Sequence, residues 1–221
     1  NGCTFTQPFA SVARALTVET RPGMCNAGFL RDDALLAVLW ISDGDDGSAS
    51  VAHPELFDPD APLGPPATRA ALHPELLEPI DTFVTAIRGT KPADEWYKVV
   101  LGMIVGVPTG IPPCDGEGDR LDVCLDRPEM RAAIDPSNPT RLMHSCLSAD
   151  ARAAPPRRFV ELAQAFGPEA TVASICGSDW LDAVRGITDR LAERFLSLCL
   201  PRELPVDDGT CSPECTVVET L

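Results

Sequence analysis

The chain has 221 residues, 44% of them hydrophobic, which is enough apolar material for a sizeable core and excludes wholesale disorder. Its net charge of −15 comes without a basic cluster that would neutralise phosphates, which excludes nucleic acid and anionic membrane surfaces as partners. No apolar run reaches about 18 residues, so we predict no transmembrane segment.

Nine cysteines are many for a reducing compartment, and their spacings do not form paired CxxC zinc motifs. We therefore predict disulfide bonds in a secreted, periplasmic or outer-surface protein. Because the count is odd, at least one thiol is expected to be free or to pair outside the chain. The chain begins at Asn1, with neither Met nor signal peptide, which predicts a mature fragment. The disulfide candidates are Cys3, Cys25, Cys114, Cys124, Cys146, Cys176, Cys199, Cys211 and Cys215.

Three unbroken apolar runs, at residues 34–41, 99–107 and 171–176, predict β-strands. Continuous rather than alternating hydrophobicity is typical of parallel strands that are covered on both faces. Amphipathic patterns at 9–17, 80–88, 158–166 and 180–195 predict helices around them, with Asp179 as the cap of the last helix.

The alternation of helices and strands predicts an α/β fold with a doubly wound, mostly parallel sheet and flanking helices. We expect one domain over residues 1–205, with residues 206–221 as a tail or the start of a further segment. Two long stretches rich in Pro, Asp and Gly, 44–78 and 108–156, are predicted to be elaborated loops pinned by disulfides. The repeated sequence His-Pro-Glu-Leu at 53–56 and 73–76 predicts two similar proline-bounded turns.

An acidic loop follows the first predicted strand and contains Ser42, Asp43, Asp45 and Asp46. Ligands of open parallel sheets gather at the carboxyl ends of the strands, where this loop would lie. Carboxylate and hydroxyl oxygens suit Mg²⁺ or Ca²⁺, so the loop is a candidate site for one of these cations. The alternative is a solvated acidic turn, in which Asp and Gly serve turn geometry alone.

Residues 26–31 (Asn-Ala-Gly-Phe-Leu-Arg), together with the first apolar strand and the acidic loop, resemble the fourth-strand region of von Willebrand factor A domains. The resemblance is to a group of secreted or lipid-anchored bacterial proteins that carry this domain. Residues 1–3 (Asn-Gly-Cys) and the segment from Phe159 through 174–176 (Ser-Ile-Cys) to 198–200 (Leu-Cys-Leu) are similar to the same group. The resemblance covers residues 1 to about 205 and rests on the order of these motifs.

Members of the wider family bind a divalent cation through a DxSxS motif after the first strand, a Thr in a later loop and an Asp after the fourth strand. The resemblance implies that Asp43 is this aspartate and that Thr4, in preference to Thr6, is the threonine. Asp45 and Ser42 are weaker candidates. The DxSxS motif has no match here, which fits a chain that begins after it. In that group a Cys often stands where this chain has Gly47, which would explain the odd number of cysteines.

The function implied is a non-enzymatic binding or adhesion module, whose protein ligand completes the coordination of the cation with an acidic side chain. One alternative is a metal-dependent α/β hydrolase similar to haloacid-dehalogenase-like phosphatases. Their DxDx[TV] motif is matched by Asp43 and Asp45, but Gly47 occupies its fifth position. A third reading is a structural domain whose site has decayed.

Overall fold

The structure is a computed structural model that describes residues 5–110, 114–177 and 180–196. Within these ranges no helix combines the length and the apolar character that crossing a membrane requires. The candidates Thr4, Cys3, Cys199, Cys211 and Cys215 lie outside the described residues, as do the predicted cap Asp179 and the predicted tail 206–221.

Five α-helices and eight strands make up the regular structure of these ranges. The helices are α1 (Pro8–Thr17), α2 (Pro66–Leu72), α3 (Ile80–Arg88), α4 (Arg157–Phe166) and α5 (Trp180–Leu196). The strands are β1 (Leu36–Ile41), β2 (Val99–Val105), β3 (Gly116–Glu117), β4 (Ile134–Asp135), β5 (Asn138–Leu142), β6 (Cys146–Leu147), β7 (Arg152–Ala153) and β8 (Ala170–Ser174).

The fold is mixed α/β and is built on a small mixed sheet with the strand order β1-β2-β8-β3. β1 pairs with β2 in parallel, and β2 with β8 in parallel. The three predicted strands are therefore confirmed, each starting or ending within two residues of its apolar run. The two-residue β3, antiparallel to β8, was not predicted because it carries no hydrophobic pattern. The pairs β4-β5 and β6-β7 form separate hairpins.

Helices lie on both faces of the sheet, which explains the continuous hydrophobicity of its central strand. Leu101 and Met103 of β2 pack into the larger core cluster, which includes residues of α1, α3 and α4. Ile104 packs instead with Ile187 of α5 on the opposite face. Gly102 allows this close approach, because a Cβ there would lie 2.8 Å from Cγ2 of Ile187. Every residue of β2 is buried as a result.

Phe9 of α1 is at the centre of the larger core. Its ring makes edge-to-face contacts with Trp40, Phe83 and Phe159, at centroid distances of 5.6, 5.5 and 4.8 Å. One aromatic side chain thus joins β1, α3 and α4. Aromatic pairs in this geometry contribute roughly 1 kcal/mol each beyond the area they bury.

The first long loop is organised by a buried arginine. Arg69 of α2 is 3% exposed, and its guanidinium donates hydrogen bonds to the carbonyl oxygens of Gly64, Leu56 and Asp58. Residues 44–78 contain no cysteine, so the prediction that disulfides pin this stretch was wrong. Five N–H donors in a planar fork allow one Arg to fix several turns of backbone, which explains why no covalent link is needed.

The two His-Pro-Glu-Leu segments adopt the same structure, as predicted. His53 and His73 each precede a 3₁₀-helix that starts at the following proline. The φ and ψ angles of the two histidines agree within 3°. Each histidine Nδ1 lies within hydrogen-bond distance of the glutamate two residues later, Glu55 or Glu75. The sequence repeat is thus a structural repeat of a histidine followed by a short 3₁₀-helix.

The second long loop does contain disulfides, which confirms that part of the prediction. Cys114 bonds to Cys124, and Cys146 bonds to Cys176. The first bond closes a short loop and is itself buried in the core, and the second joins β6 to the segment that follows β8. Cys25 is exposed and free among the described residues.

Candidate functional site

The acidic loop lies at the carboxyl end of β1, as its sequence predicts, but its carboxylates point to different places. Asp43 is exposed, and its main-chain oxygen accepts a hydrogen bond from the N–H of Ala154. The hydroxyl of Ser42 is engaged with the backbone of Gly44, to which it donates and from which it accepts. Asp43 is therefore the carboxylate of this loop that faces solvent.

Asp46 is 1% exposed and is the most heavily hydrogen-bonded carboxylate of the loop. Its Oδ1 accepts from the N–H of Phe9 at 3.1 Å and from the hydroxyl of Ser48 at 2.6 Å. Its Oδ2 accepts from the N–H of Ser48 at 3.1 Å and from Nε of Arg158 at 3.0 Å. A buried carboxylate needs this number of donors, because burial without them is costly.

These contacts cap helix α1 from outside its own sequence. The residue before the helix, Gln7, makes no side-chain cap. Asp46 accepts the N–H of Phe9, and Oγ of Ser48 accepts the N–H of Ala10 at 3.0 Å. Two of the N–H groups that a helix start leaves without an intrahelical partner are satisfied in this way, and the negative charge also suits the positive end of the helix dipole.

Asp45 does the same for helix α4. The N–H of Arg158, in the first turn of α4, donates to both carboxylate oxygens of Asp45, at 3.1 and 3.2 Å. Burial of the carboxyl group raises the pKa of Asp45 from 3.8 to about 7, although hydrogen bonds from the N–H groups of Arg158 and Asp46 act in the opposite direction. Asp45 thus holds a proton over much of the acidic range.

Arg158 connects this loop to a third element. It is 7% exposed; in addition to Asp46, its guanidinium donates to the carbonyl oxygen of Glu78 at 2.6 Å. The hydroxyl of Thr6, the second threonine considered above, donates to the main-chain oxygen of Asp45 at 3.1 Å. The loop is therefore held by α1, by α4 and by the segment that leads into α3.

An open cleft of about 650 Å³ lies beside the solvent-facing part of the loop. One wall consists of Ile41, Ser42 and Asp43, at the end of β1, and Ile175, after β8, also contributes. Residues 147–152, in the β6–β7 hairpin, form the rest of its lining. The cleft thus occupies the edge where ligands of parallel sheets usually bind.

The hairpin wall contributes polar residues that the sequence alone did not single out: Asp150, Arg152 and Ser148. The disulfide between Cys146 and Cys176 links the start of this hairpin to the chain that follows β8. The sequence feature that could have revealed them is the pair Cys146, in the second long loop, and Cys176, at the end of a predicted strand. A bond between them would have brought residues 147–152 to the same edge as Asp43.

The described residues contain no group of three or more His, Cys, Asp or Glu side chains arranged to hold a metal ion. Asp45 and Asp46 turn towards the starts of α4 and α1 and do not line the cleft beside Asp43, so they do not add ligands to Asp43 there. Asp43 alone is fewer ligands than Mg²⁺ or Ca²⁺ needs. Binding of Mg²⁺ or Ca²⁺ at this loop stays a prediction. It requires that some of the ligands come from outside the described residues.

Replacement of Asp46 by Asn is expected to lower the free energy of unfolding by about 3 kcal/mol, because it leaves the buried Arg158 guanidinium without its carboxylate. Asp43→Asn removes the same charge from an exposed residue of the same loop. It should change the free energy of unfolding by less than about 0.5 kcal/mol. Urea denaturation of both variants is the measurement. Equal effects of the two substitutions would contradict the structural role of Asp46.

Asp45 is expected to make the protein less stable as pH rises. Its folded pKa, about 7, exceeds the ordinary value of 3.8, so the native state binds a proton that the unfolded state has lost between these limits. The free energy of unfolding should therefore fall as pH increases from about 5 to about 7, by roughly 1 kcal/mol per pH unit, and then level off. Denaturation at several pH values tests this, and Asp45→Asn should remove the slope. If the pH dependence of stability persists in Asp45→Asn, another titrating group causes it.

Comparisons of this chain with protein-family models, with curated proteins and with solved structures found no match.

Proposed function

We propose that this chain is an extracytoplasmic, non-enzymatic module that binds a protein ligand at the carboxyl edge of its sheet. The observation that carries the proposal is the open cleft between the end of β1 and the β6–β7 hairpin, with the exposed Asp43 on one wall. Two disulfides support an oxidising compartment.

We further propose that the fold is of the von Willebrand factor A type. Three strands in chain order, β1, β2 and β8, run parallel, and helices cover both faces of the sheet. The helices on both faces support a doubly wound arrangement with right-handed crossovers, in which β1, β2 and β8, whose order does not reverse, would form one half of the sheet. The position of Asp43 directly after β1, at the rim of the cleft, agrees with the role that the resemblance assigns to it.

In this proposal Asp43 is the residue that contacts a divalent cation, and an acidic group of the ligand contributes to its coordination. Asp150 is a second carboxylate that lines the same cleft. A site with so few protein ligands is expected to be weak, comparable with extracellular modules that bind Ca²⁺ at about 10⁻³ M.

Titration with MgCl₂ and with CaCl₂, followed by calorimetry, should give heat that saturates near millimolar concentration. Asp43→Asn should abolish this heat, since it removes the exposed carboxylate. The control is Asp81→Asn, which removes the same charge from an exposed position on α3. Because the chain carries a net charge of −15, some heat will come from non-specific cation binding. Equal heats in the two variants, or no heat in the unaltered protein, would defeat the cation part of the proposal.

The phosphatase alternative needs a second aspartate beside the first one. Asp45, which would fill this role, instead contacts the first turn of α4 and does not line the cleft. We therefore expect no hydrolysis of a generic aryl phosphate in the presence of Mg²⁺. A colorimetric assay of the unaltered protein and of Asp43→Asn tests this, and turnover that disappears in the variant would establish the enzyme instead.

A further inference from the structure

The β6–β7 hairpin is attached at its base by hydrogen bonds to the main body of the fold. The buried hydroxyl of Ser145 contacts the carbonyl oxygens of Gly106, just after β2, and of Ala153 in β7. The N–H of Ala154 donates to the main-chain oxygen of Asp43 at 2.9 Å. The base of the hairpin is therefore joined to the segments that follow β1 and β2.

The tip of the hairpin, residues 147–152, is attached differently. Four of its six residues are exposed, and its hydrogen bonds to the described part of the chain stay within the hairpin, such as the one from the N–H of Ser148 to the carbonyl oxygen of Ala151 at 2.8 Å. Ala151 packs against the small core cluster that contains both Cys146 and Cys176. Sγ of Cys176 lies 3.8 Å from the carbonyl oxygen of Ala151. The Cys146–Cys176 disulfide is thus the covalent link between the hairpin tip and the end of β8.

The same disulfide adjoins the binding cleft. Leu147 and Ile175, which are next to its two cysteines in the chain, both line the cleft. Asp150 and Arg152, the charged residues of the hairpin tip, line it as well. Asp43 belongs instead to the segment that follows β1, whose position does not depend on this bond. Breaking the disulfide is therefore expected to release part of the cleft lining and to leave Asp43 in place.

The two disulfides of the described chain differ in their access to solvent. Cys146 and Cys176 are 8% and 7% exposed, whereas Cys114 and Cys124 are both 0% exposed. Thiol–disulfide exchange begins when a thiolate reaches a sulfur atom of the bond, so the more accessible bond exchanges faster. An external thiol is therefore expected to reach the disulfide beside the cleft before the one in the core.

We propose that the Cys146–Cys176 disulfide is a thiol-sensitive latch, which holds the hairpin tip when it is formed and releases it when a dithiol reduces it. One thiolate of the dithiol attacks a sulfur of the bond, forms a mixed disulfide and frees the other cysteine. The second thiol of the reductant then closes the reductant's own disulfide and frees the second cysteine. Two electrons and two protons pass from the dithiol to Cys146 and Cys176, and the reverse steps restore the bond.

This inference rests on the proposed function for its consequence, which is control of binding at the same cleft. Release of the hairpin tip takes Asp150 and Arg152 out of fixed positions beside Asp43. A ligand or cation that contacts both sides of the cleft would then have to order the tip when it binds, and this ordering costs conformational entropy. Reduction is therefore expected to weaken binding at the cleft.

The first test asks which disulfide an external dithiol reduces. The full chain is treated with increasing concentrations of dithiothreitol without denaturant, alkylated with iodoacetamide and mapped by peptide mass spectrometry. Cys146 and Cys176 should become alkylated at a dithiothreitol concentration at least about tenfold lower than Cys114 and Cys124. Reduction of the buried disulfide first, or of both disulfides together, would overturn the proposal.

Trypsin cleavage after Arg152 reports whether the hairpin tip is held, because proteolysis requires a locally open chain. The variant Cys146→Ala with Cys176→Ala should be cut there at least about tenfold faster than the oxidised, unaltered protein. Its matched control is Cys114→Ala with Cys124→Ala, which removes the other disulfide and should leave the rate of cleavage at Arg152 unchanged. If loss of the Cys146–Cys176 bond does not speed this cleavage, the latch does not exist.

Circular dichroism will establish whether both variants fold. If one does not, hydrogen exchange is compared instead between the oxidised protein and the unaltered protein after selective reduction and alkylation. The amides of Ser148 and Ala151 should exchange at least about tenfold faster after reduction, whereas those of β2 should not change. Unchanged exchange at Ser148 and Ala151 would also overturn the proposal.

Calorimetric titration with CaCl₂ separates this inference from the proposed function. Weaker binding by the selectively reduced protein than by the oxidised protein would support both. Absence of heat in either state would reject the cation site, and the latch would then be decided by the cleavage and exchange rates, which need no ligand. Equal affinities in the two states would reject the disulfide as a control of the cleft.

Discussion

The buried ion pair between Asp46 and Arg158 is the interaction on which the arrangement of the site depends. Asp46 follows β1, accepts an N–H from the start of α1 and contacts Arg158 at the start of α4. Arg158 then reaches the carbonyl oxygen of Glu78, just before α3. One pair of side chains therefore sets the position of a strand end relative to three helices. Breaking such a pair leaves an uncompensated charge in the interior, which costs several kcal/mol.

This pair also divides the acidic loop into two parts with different roles. Asp45 and Asp46 turn inward and satisfy helix starts, whereas Asp43 remains at the rim of the cleft. Two of the three aspartates of the loop, Asp45 and Asp46, therefore have structural roles.

The sequence was sufficient for the parts of the fold that depend on local pattern. Continuous hydrophobicity located β1, β2 and β8, and the helical stripes located α1, α3, α4 and α5. The roles of Asp45 and Asp46 were not predictable in this way, because their partners in α4 lie 113 and 112 residues further along the chain. Asp150 and Arg152 were missed for a similar reason: they lie in a short hairpin linked by a disulfide to a distant strand end, and no local pattern reports that pairing. The role of Arg69 was also missed. Disulfides were expected to hold residues 44–78, but hydrogen bonds from this arginine to backbone carbonyl oxygens do so instead.

The most direct test of this account is a double-mutant cycle on Asp46 and Arg158, with Asp46→Asn, Arg158→Met and the double variant compared by urea denaturation. A buried, hydrogen-bonded pair predicts a coupling free energy of about 2 kcal/mol or more, so that the double variant is more stable than the two single effects would give by addition. Additive effects, with coupling below about 0.5 kcal/mol, would show that the two side chains do not interact and would contradict the position of the acidic loop on which the proposed binding cleft depends.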